Sequence, residues 1–84
     1  GVTRIWGGVS LREVNDHLEL SLPEEQFDTI GGYVFGALNR VPRIGDEVKL
    51  PEGTFQVRRM TGRRIEYLRF FPSVGKGDAA RDSS

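Results

Sequence analysis

Cysteine is absent from this 84-residue chain, and that absence sets the terms on which it folds. Disulfides, thiolate nucleophiles and cysteine-ligated metals are all excluded. A chain this short, with no covalent or metal staple, must bury its apolar residues in one core at the lower edge of what folds alone. One domain is expected, with a parent protein or a partner surface adding burial, and the start at Gly1 fits a piece excised from a longer chain. Hydrophobic residues make up 37% of the chain and charged residues 29%, away from the low-apolar, high-charge signature of disorder. No apolar run approaches the roughly 20 residues that a bilayer crossing needs, so the piece itself is expected to be soluble.

The order of local signals predicts the architecture. Val2 to Trp6 alternates with period two and reads as a short edge strand, broken by Gly7-Gly8. Ser10 and Glu13 stand at capping-box spacing, with Val9 and Val14 at the staple positions, and Leu11, Val14 and Leu18 then form one apolar stripe of a helix. Pro23 to Asp28 is an acidic connector anchored by Phe27. A second helix is predicted from about Ile30 to Arg40, buried through Ile30, Val34, Ala37, Leu38 and Val41 and expected to be the better buried of the two. Gly31, Gly32 and Gly36 each cost about 1 kcal/mol there relative to alanine, which points to close approach of another backbone or of the sheet. Three strands follow, around Val48–Leu50, Thr54–Met60 and Arg64–Phe71. A bulge near Glu66-Tyr67 is needed to bring Ile65, Leu68 and Phe70 to one side. The expected fold is therefore α+β over residues 1–71, a small antiparallel sheet of about four strands with two helices packed on one face. Residues 72–84 hold little apolar content and are predicted to be a disordered tail.

The chemistry-bearing residues are sparse. One histidine, His17, and no cysteine argue against a zinc site, and Glu24, Glu25 and Asp28 lack the spacing of a calcium loop. No catalytic triad or carboxylate pair in a recognisable setting is present, so the chain is not expected to be an enzyme, and no cofactor is expected. Gly7-Gly8-Val9-Ser10 before a helix matches neither the dinucleotide fingerprint nor the P-loop, and Ser10 is better used as a cap.

Charge is balanced, twelve bases against twelve acids, but unevenly distributed. Residues 1–30 carry a net of −4 and residues 31–71 a net of +4. Arg58, Arg59, Arg63 and Arg64 flank the Thr61-Gly62 turn and form a candidate interaction hairpin for phosphates, an anionic surface or an acidic partner. With no aromatic residues at the tip and zero net charge, a nucleic-acid partner is not expected.

Several blocks together resemble the CorC/HlyC transporter-associated domain. They are Gly8-Val9-Ser10-Leu11-Arg12-Glu13-Val14-Asn15, Leu22-Pro23-Glu24-Glu25, Phe27-Asp28-Thr29-Ile30-Gly31-Gly32-Tyr33-Val34 and Val41-Pro42-Arg43-Ile44-Gly45-Asp46-Glu47-Val48. Phe55-Gln56-Val57 and Gly62-Arg63-Arg64-Ile65-Glu66 are similar to its closing hairpin, so the resemblance spans about residues 4–71. It implies a bacterial regulatory domain at the C-terminus of larger proteins, following CBS domains and often a membrane domain linked to magnesium and cobalt efflux, with some relatives called haemolysins. It implies a place on the cytoplasmic face of the inner membrane, with neighbouring CBS and membrane domains of the same parent as partners. The family supplies no catalytic residues. Its matched signature positions here are structural: Thr29, Gly31 and Gly32 at a helix entrance, and Pro42, Gly45 and Asp46 at a turn. Trp6-Gly7-Gly8 departs from the usual Asp-Gly ending of the first strand.

These readings favour a non-catalytic domain that modulates transport through domain contacts. A small-ligand module sensing an adenine nucleotide or an anion is the alternative, through the Gly31-Gly32 entrance or the arginine hairpin, and a cleft lined by Tyr33 and one of those arginines would be its sign. A homodimerisation element, pairing weakly through an edge strand, is the third.

Overall fold

The computed structural model describes residues 2–73, and residues 74–84, most of the predicted tail, lie outside the described residues. Six elements follow in the expected order: strand β1 (Thr3–Trp6), helix α1 (Leu11–Leu18), helix α2 (Ile30–Leu38), and strands β2 (Glu47–Leu50), β3 (Gly53–Thr61) and β4 (Arg64–Pro72). The strands form one antiparallel sheet in the order β1-β4-β3-β2, so β1 and β2 are its edges and β4 and β3 its centre. Both helices cover the same face. Ile5, Phe55, Val57, Ile65, Leu68 and Phe70 from the sheet meet Leu11, Val14, Ile30 and Val34 from the helices in one buried core.

Local chemistry accounts for each helix boundary. Ser10 caps α1 by accepting from the Glu13 amide at 3.1 Å. The return bond of the predicted capping box is not made, and this segment is tied to the second helix's entrance by an antiparallel bridge between Ser10 and Thr29. Glu19 closes α1 in the left-handed conformation at φ 57°. Asn39 caps α2 the same way, so the helix ends at Leu38, two residues before the predicted end at Arg40. Ala37 and Val41, expected in the core, are exposed, and α2 buries only Ile30 and Val34 whereas α1 buries Leu11, Val14 and Asn15.

The predicted bulge is present and has an unforeseen counterpart. Val57 pairs with Leu68 and Arg59 with Tyr67, which leaves Arg58 extra on β3; Met60 then pairs with Ile65, which leaves Glu66 extra on β4. One bulge on each strand restores the register and lets Ile65, Leu68 and Phe70 all face the helices. The β3–β4 connection is a two-residue turn with Gly62 at φ 62° in its first central position, as a II′ hairpin requires. At the end of β4, Ser73 donates its amide to Glu52 at 2.9 Å and its hydroxyl to the Pro51 carbonyl at 2.9 Å, which fastens the strand to the β2–β3 loop.

Asn15 is the one buried polar side chain among the described residues. Its carboxamide behaves like a peptide group. The Nδ2 donates to the Leu22 carbonyl at 3.0 Å and to Glu24 at 2.8 Å, while Oδ1 accepts from the Leu22 amide at 2.8 Å. This pairing turns the chain back under α1 and lets Leu20 and Leu22 enter the core. Asn15→Ala leaves the Leu22 amide and carbonyl buried without partners, at a cost of about 2 kcal/mol. Urea unfolding of the two proteins checks this, and a loss below about 0.5 kcal/mol would show that water replaces the carboxamide.

Candidate functional site

Thr29, Gly31 and Gly32 come together at the start of α2, where every leading amide already has a partner. Ile30 donates to the Val9 carbonyl at 2.9 Å, Gly31 to the Gly7 carbonyl at 2.9 Å, and Gly32 to the Thr29 hydroxyl at 3.1 Å. The helix entrance therefore offers no free donors for an anion, contrary to its candidacy as an anion site. Its glycines answer to packing. A Cβ on Gly31 would lie 2.9 Å from the Gly7 carbonyl oxygen, and one on Gly36 would lie 2.7 Å from the Phe27 ring. The close approach expected from these residues is to the Gly7 turn and to Phe27.

Pro42, Gly45 and Asp46 form a second structural clasp. Pro42 is buried and Gly45 takes φ 99°, which favours glycine. The Gly45 amide donates to the Val57 carbonyl at 2.7 Å and the Asp46 carbonyl accepts from Val57 at 2.8 Å, so this turn is stitched to β3. Asp46 also receives a two-pronged contact from Arg40, at 2.8 and 2.9 Å, and the Arg43 amide at 2.8 Å. The Arg40 guanidinium and then the Arg43 amide hold its carboxyl below the usual carboxylate range. Arg40, expected in the last turn of α2, acts in this turn instead.

The four hairpin arginines do not act as one patch. Arg58 donates to Gln56 at 2.9 Å and Arg59 lies 3.6 Å from Glu66. Arg63 and Arg64 line a groove of about 710 Å³ between the hairpin, the Gly7-Gly8 turn and the outer side of α2. Phe27 and Phe35 supply its apolar wall. The anticipated cleft of Tyr33 with an arginine is not formed, since Tyr33 does not line this groove. Tyr33 instead packs edge-to-face on Phe27, with ring centroids 5.7 Å apart, and its phenol is pushed up by burial and by the charge of Glu52.

The helix-free face of the sheet presents a second feature that the arginine motif did not reveal. Trp6 and Tyr67 pair across β1 and β4, with ring centroids 5.4 Å apart in edge-on geometry. The Arg4 guanidinium lies 4.9 Å from the Tyr67 ring centroid. Trp6 remains 50% exposed. The signal was available in the period-two strand, which puts Arg4 and Trp6 on one side. Its partner Tyr67 depended on the bulge at Glu66.

Among the described residues no group of three or more His, Asp or Glu side chains is placed to hold a metal ion. The model of the transporter-associated domain family, CorC_HlyC, matches residues 1–73. The chain belongs to this family. Among curated proteins it is 33% identical over 55 residues to the magnesium and cobalt efflux protein CorC of Buchnera aphidicola, covering 66% of this chain and 19% of that one. It is 28% identical over 72 residues to the inner membrane protein YfjD of Escherichia coli, covering 86% of this chain and 17% of that one. The chain thus spans about a fifth of the length of these relatives. Among solved structures, a CorC_HlyC domain from Haemophilus ducreyi superposes with a TM-score of 0.80 at 25% identity, over 87% of this chain and 89% of that one. The transporter-associated domain of a CBS domain protein from Porphyromonas gingivalis gives 0.75 at 28% identity, over 86% and 88%.

Asp46 yields a pH prediction with a fixed sign. A carboxyl held low in the folded state stabilises the fold above its unfolded pKa, and that contribution is lost as pH falls through the folded value. The gap in melting temperature between wild type and Asp46→Asn is therefore expected to hold from neutral pH to about 4 and to narrow below it. A gap unchanged down to pH about 2 would remove the Arg40–Asp46 charge from the account.

Proposed function

We propose that this chain is a regulatory domain of a larger membrane-associated ion-transport or CBS-domain protein, and that it acts by docking its helix-free sheet face on neighbouring domains. The observation that carries the docking reading is the exposed Trp6, set beside Tyr67 and Arg4 on a rigid sheet. Tryptophan, tyrosine and arginine dominate the energy of protein interfaces because they bury much area and keep a polar handle. The relatives support the setting. One is named as a magnesium and cobalt efflux protein, another as an inner membrane protein, and a third domain comes from a CBS domain protein. By that analogy the parent transports or exports divalent ions, with this domain held at the cytoplasmic face of the inner membrane. No helix of the described residues is long and apolar enough to cross a membrane.

The mechanism follows from linkage. Ion or ligand state in the neighbouring domains changes the conformations in which the Trp6 face fits, and docking biases the parent toward those conformations by its differential contact energy. Arg58 and Gln56 extend the docking face toward the hairpin.

Hydroxyl-radical footprinting tests the proposal on the parent protein and on this domain alone. Trp6 and Tyr67 are expected to lose about threefold or more in labelling rate within the parent, as anchor residues that leave solvent on docking. His17 serves as the internal reference for the solvent-facing helix. Equal labelling of Trp6 in the two proteins would overturn docking through this face.

A further inference from the structure

The groove between α2 and the β3–β4 hairpin has features that neither the fold nor docking through the opposite face explains. Most glycines of the described chain have a structural cause. Gly7, Gly31 and Gly36 face atoms that a Cβ would strike, and Gly45 and Gly62 take left-handed torsions. Gly8 has neither, and Gly32 has only a tight contact with the hydroxyl that caps its own helix. A Cβ on Gly8 would meet nothing within 4 Å, and one on Gly32 would meet only the Thr29 hydroxyl, at 3.3 Å. Glycine in a helix is normally disfavoured against alanine, and at Gly32 a Cβ would press on the Thr29 cap hydroxyl, so Gly8 is the glycine left without a local cause. Both residues line the groove, where side chains would project into its open space.

The rest of the lining has a definite chemistry. Arg63 and Arg64 stand at one end, and among the described residues neither has an ion-pair or side-chain hydrogen-bond partner. Among the described residues, no acidic residue lines the groove. Phe27, half-buried, and Phe35, 39% exposed, offer ring surface. A volume of about 710 Å³ lies within the range of small-molecule sites, about 300–1,000 Å³. Two arginine side chains match the oxygens of a phosphate better than a single carboxylate, and phenyl rings suit the face of a flat heterocycle.

We propose that this groove binds a nucleoside phosphate, with its base against Phe27 and Phe35 and its phosphate at Arg63 and Arg64. Gly8 and Gly32 keep the space between those ends clear. The inference is independent of the docking reading, since groove and docking face lie on different sides of β4.

Titration calorimetry of the 84-residue chain with AMP, adenosine and inorganic phosphate tests it. AMP is expected to bind saturably with Kd below about 1 mM, with adenosine and phosphate each at least about tenfold weaker. Paired Arg63→Glu and Arg64→Glu substitutions, on an exposed hairpin, are expected to weaken AMP at least about tenfold. Gly8→Gln, whose side chain enters open space, is expected to do the same without lowering the melting temperature. Arg12→Glu on the outer side of α1 controls for bulk charge and leaves affinity unchanged. Absence of saturable AMP binding overturns the proposal, and so does phosphate binding as tight as AMP, which would mark an anion patch alone. Binding insensitive to both the arginine and Gly8 changes overturns it as well.

Discussion

The structure depends on a backbone contact that only glycine permits. The Gly7 amide donates to the Glu66 carbonyl of β4 at 2.9 Å, and the Gly7 carbonyl accepts from the Gly31 amide of α2 at 2.9 Å. One peptide turn is thus held between the central sheet and the second helix. A Cβ at position 7 would run into the Ile65 carbonyl, and one at position 31 would press on Gly7 itself. The usual gain of about 1 kcal/mol from replacing a helical glycine by alanine is outweighed there by a lost hydrogen bond and a displaced helix. With α2 seated this way, Ile30 and Val34 become fully buried over the sheet, and the outer side of the helix becomes one wall of the groove.

Element order, the Ser10 N-cap and the helix-bearing face were legible because each rests on short-range rules. Ser10 and Thr29 cap through their own side chains, and apolar spacing assigns Leu11, Val14, Ile30 and Val34 to the core. The bulge at Glu66 was legible too, since no straight strand places Ile65, Leu68 and Phe70 on one side. Its partner at Arg58 was hidden, because β3 alternates acceptably as far as Val57 and the extra residue is a matter of cross-strand register. The end of α2 was missed by two residues. Asn39 adopts the left-handed cap there, and Arg40 is drawn to Asp46, a contact that exists only once the turn at Gly45 forms. Asn15 gave no signal at all. A polar residue in an apolar stripe reads as surface until its partner, the Leu22 backbone, is known to be folded beneath it.

The functional residues divide along the same line. Thr29, Gly31, Gly32, Pro42, Gly45 and Asp46 were recognisable as a signature, and the structure gives nearly all of them jobs in holding α2 and the β2 turn. The arginine run was recognisable as charge, but strand pleat and the II′ turn separate Arg63 and Arg64 from Arg58 and Arg59. β4 therefore borders two different surfaces, with Arg64 and Ile65 at the groove and Tyr67 beside Trp6 on the open face. The described sheet thus carries an apolar groove with two arginines on one side and an exposed aromatic pair on the other.

Amide hydrogen exchange at Gly31 tests the account at its root. Amides in the first turn of a short helix ordinarily exchange by local fraying, well before the protein unfolds. If Gly7 clamps α2 to the sheet, the Gly31 amide exchanges only as slowly as those of the central strand β4, through global unfolding. Fast exchange at Gly31 beside a protected β4 would show that the helix entrance opens on its own, and the glycine contact would lose its place as the constraint on which the fold rests.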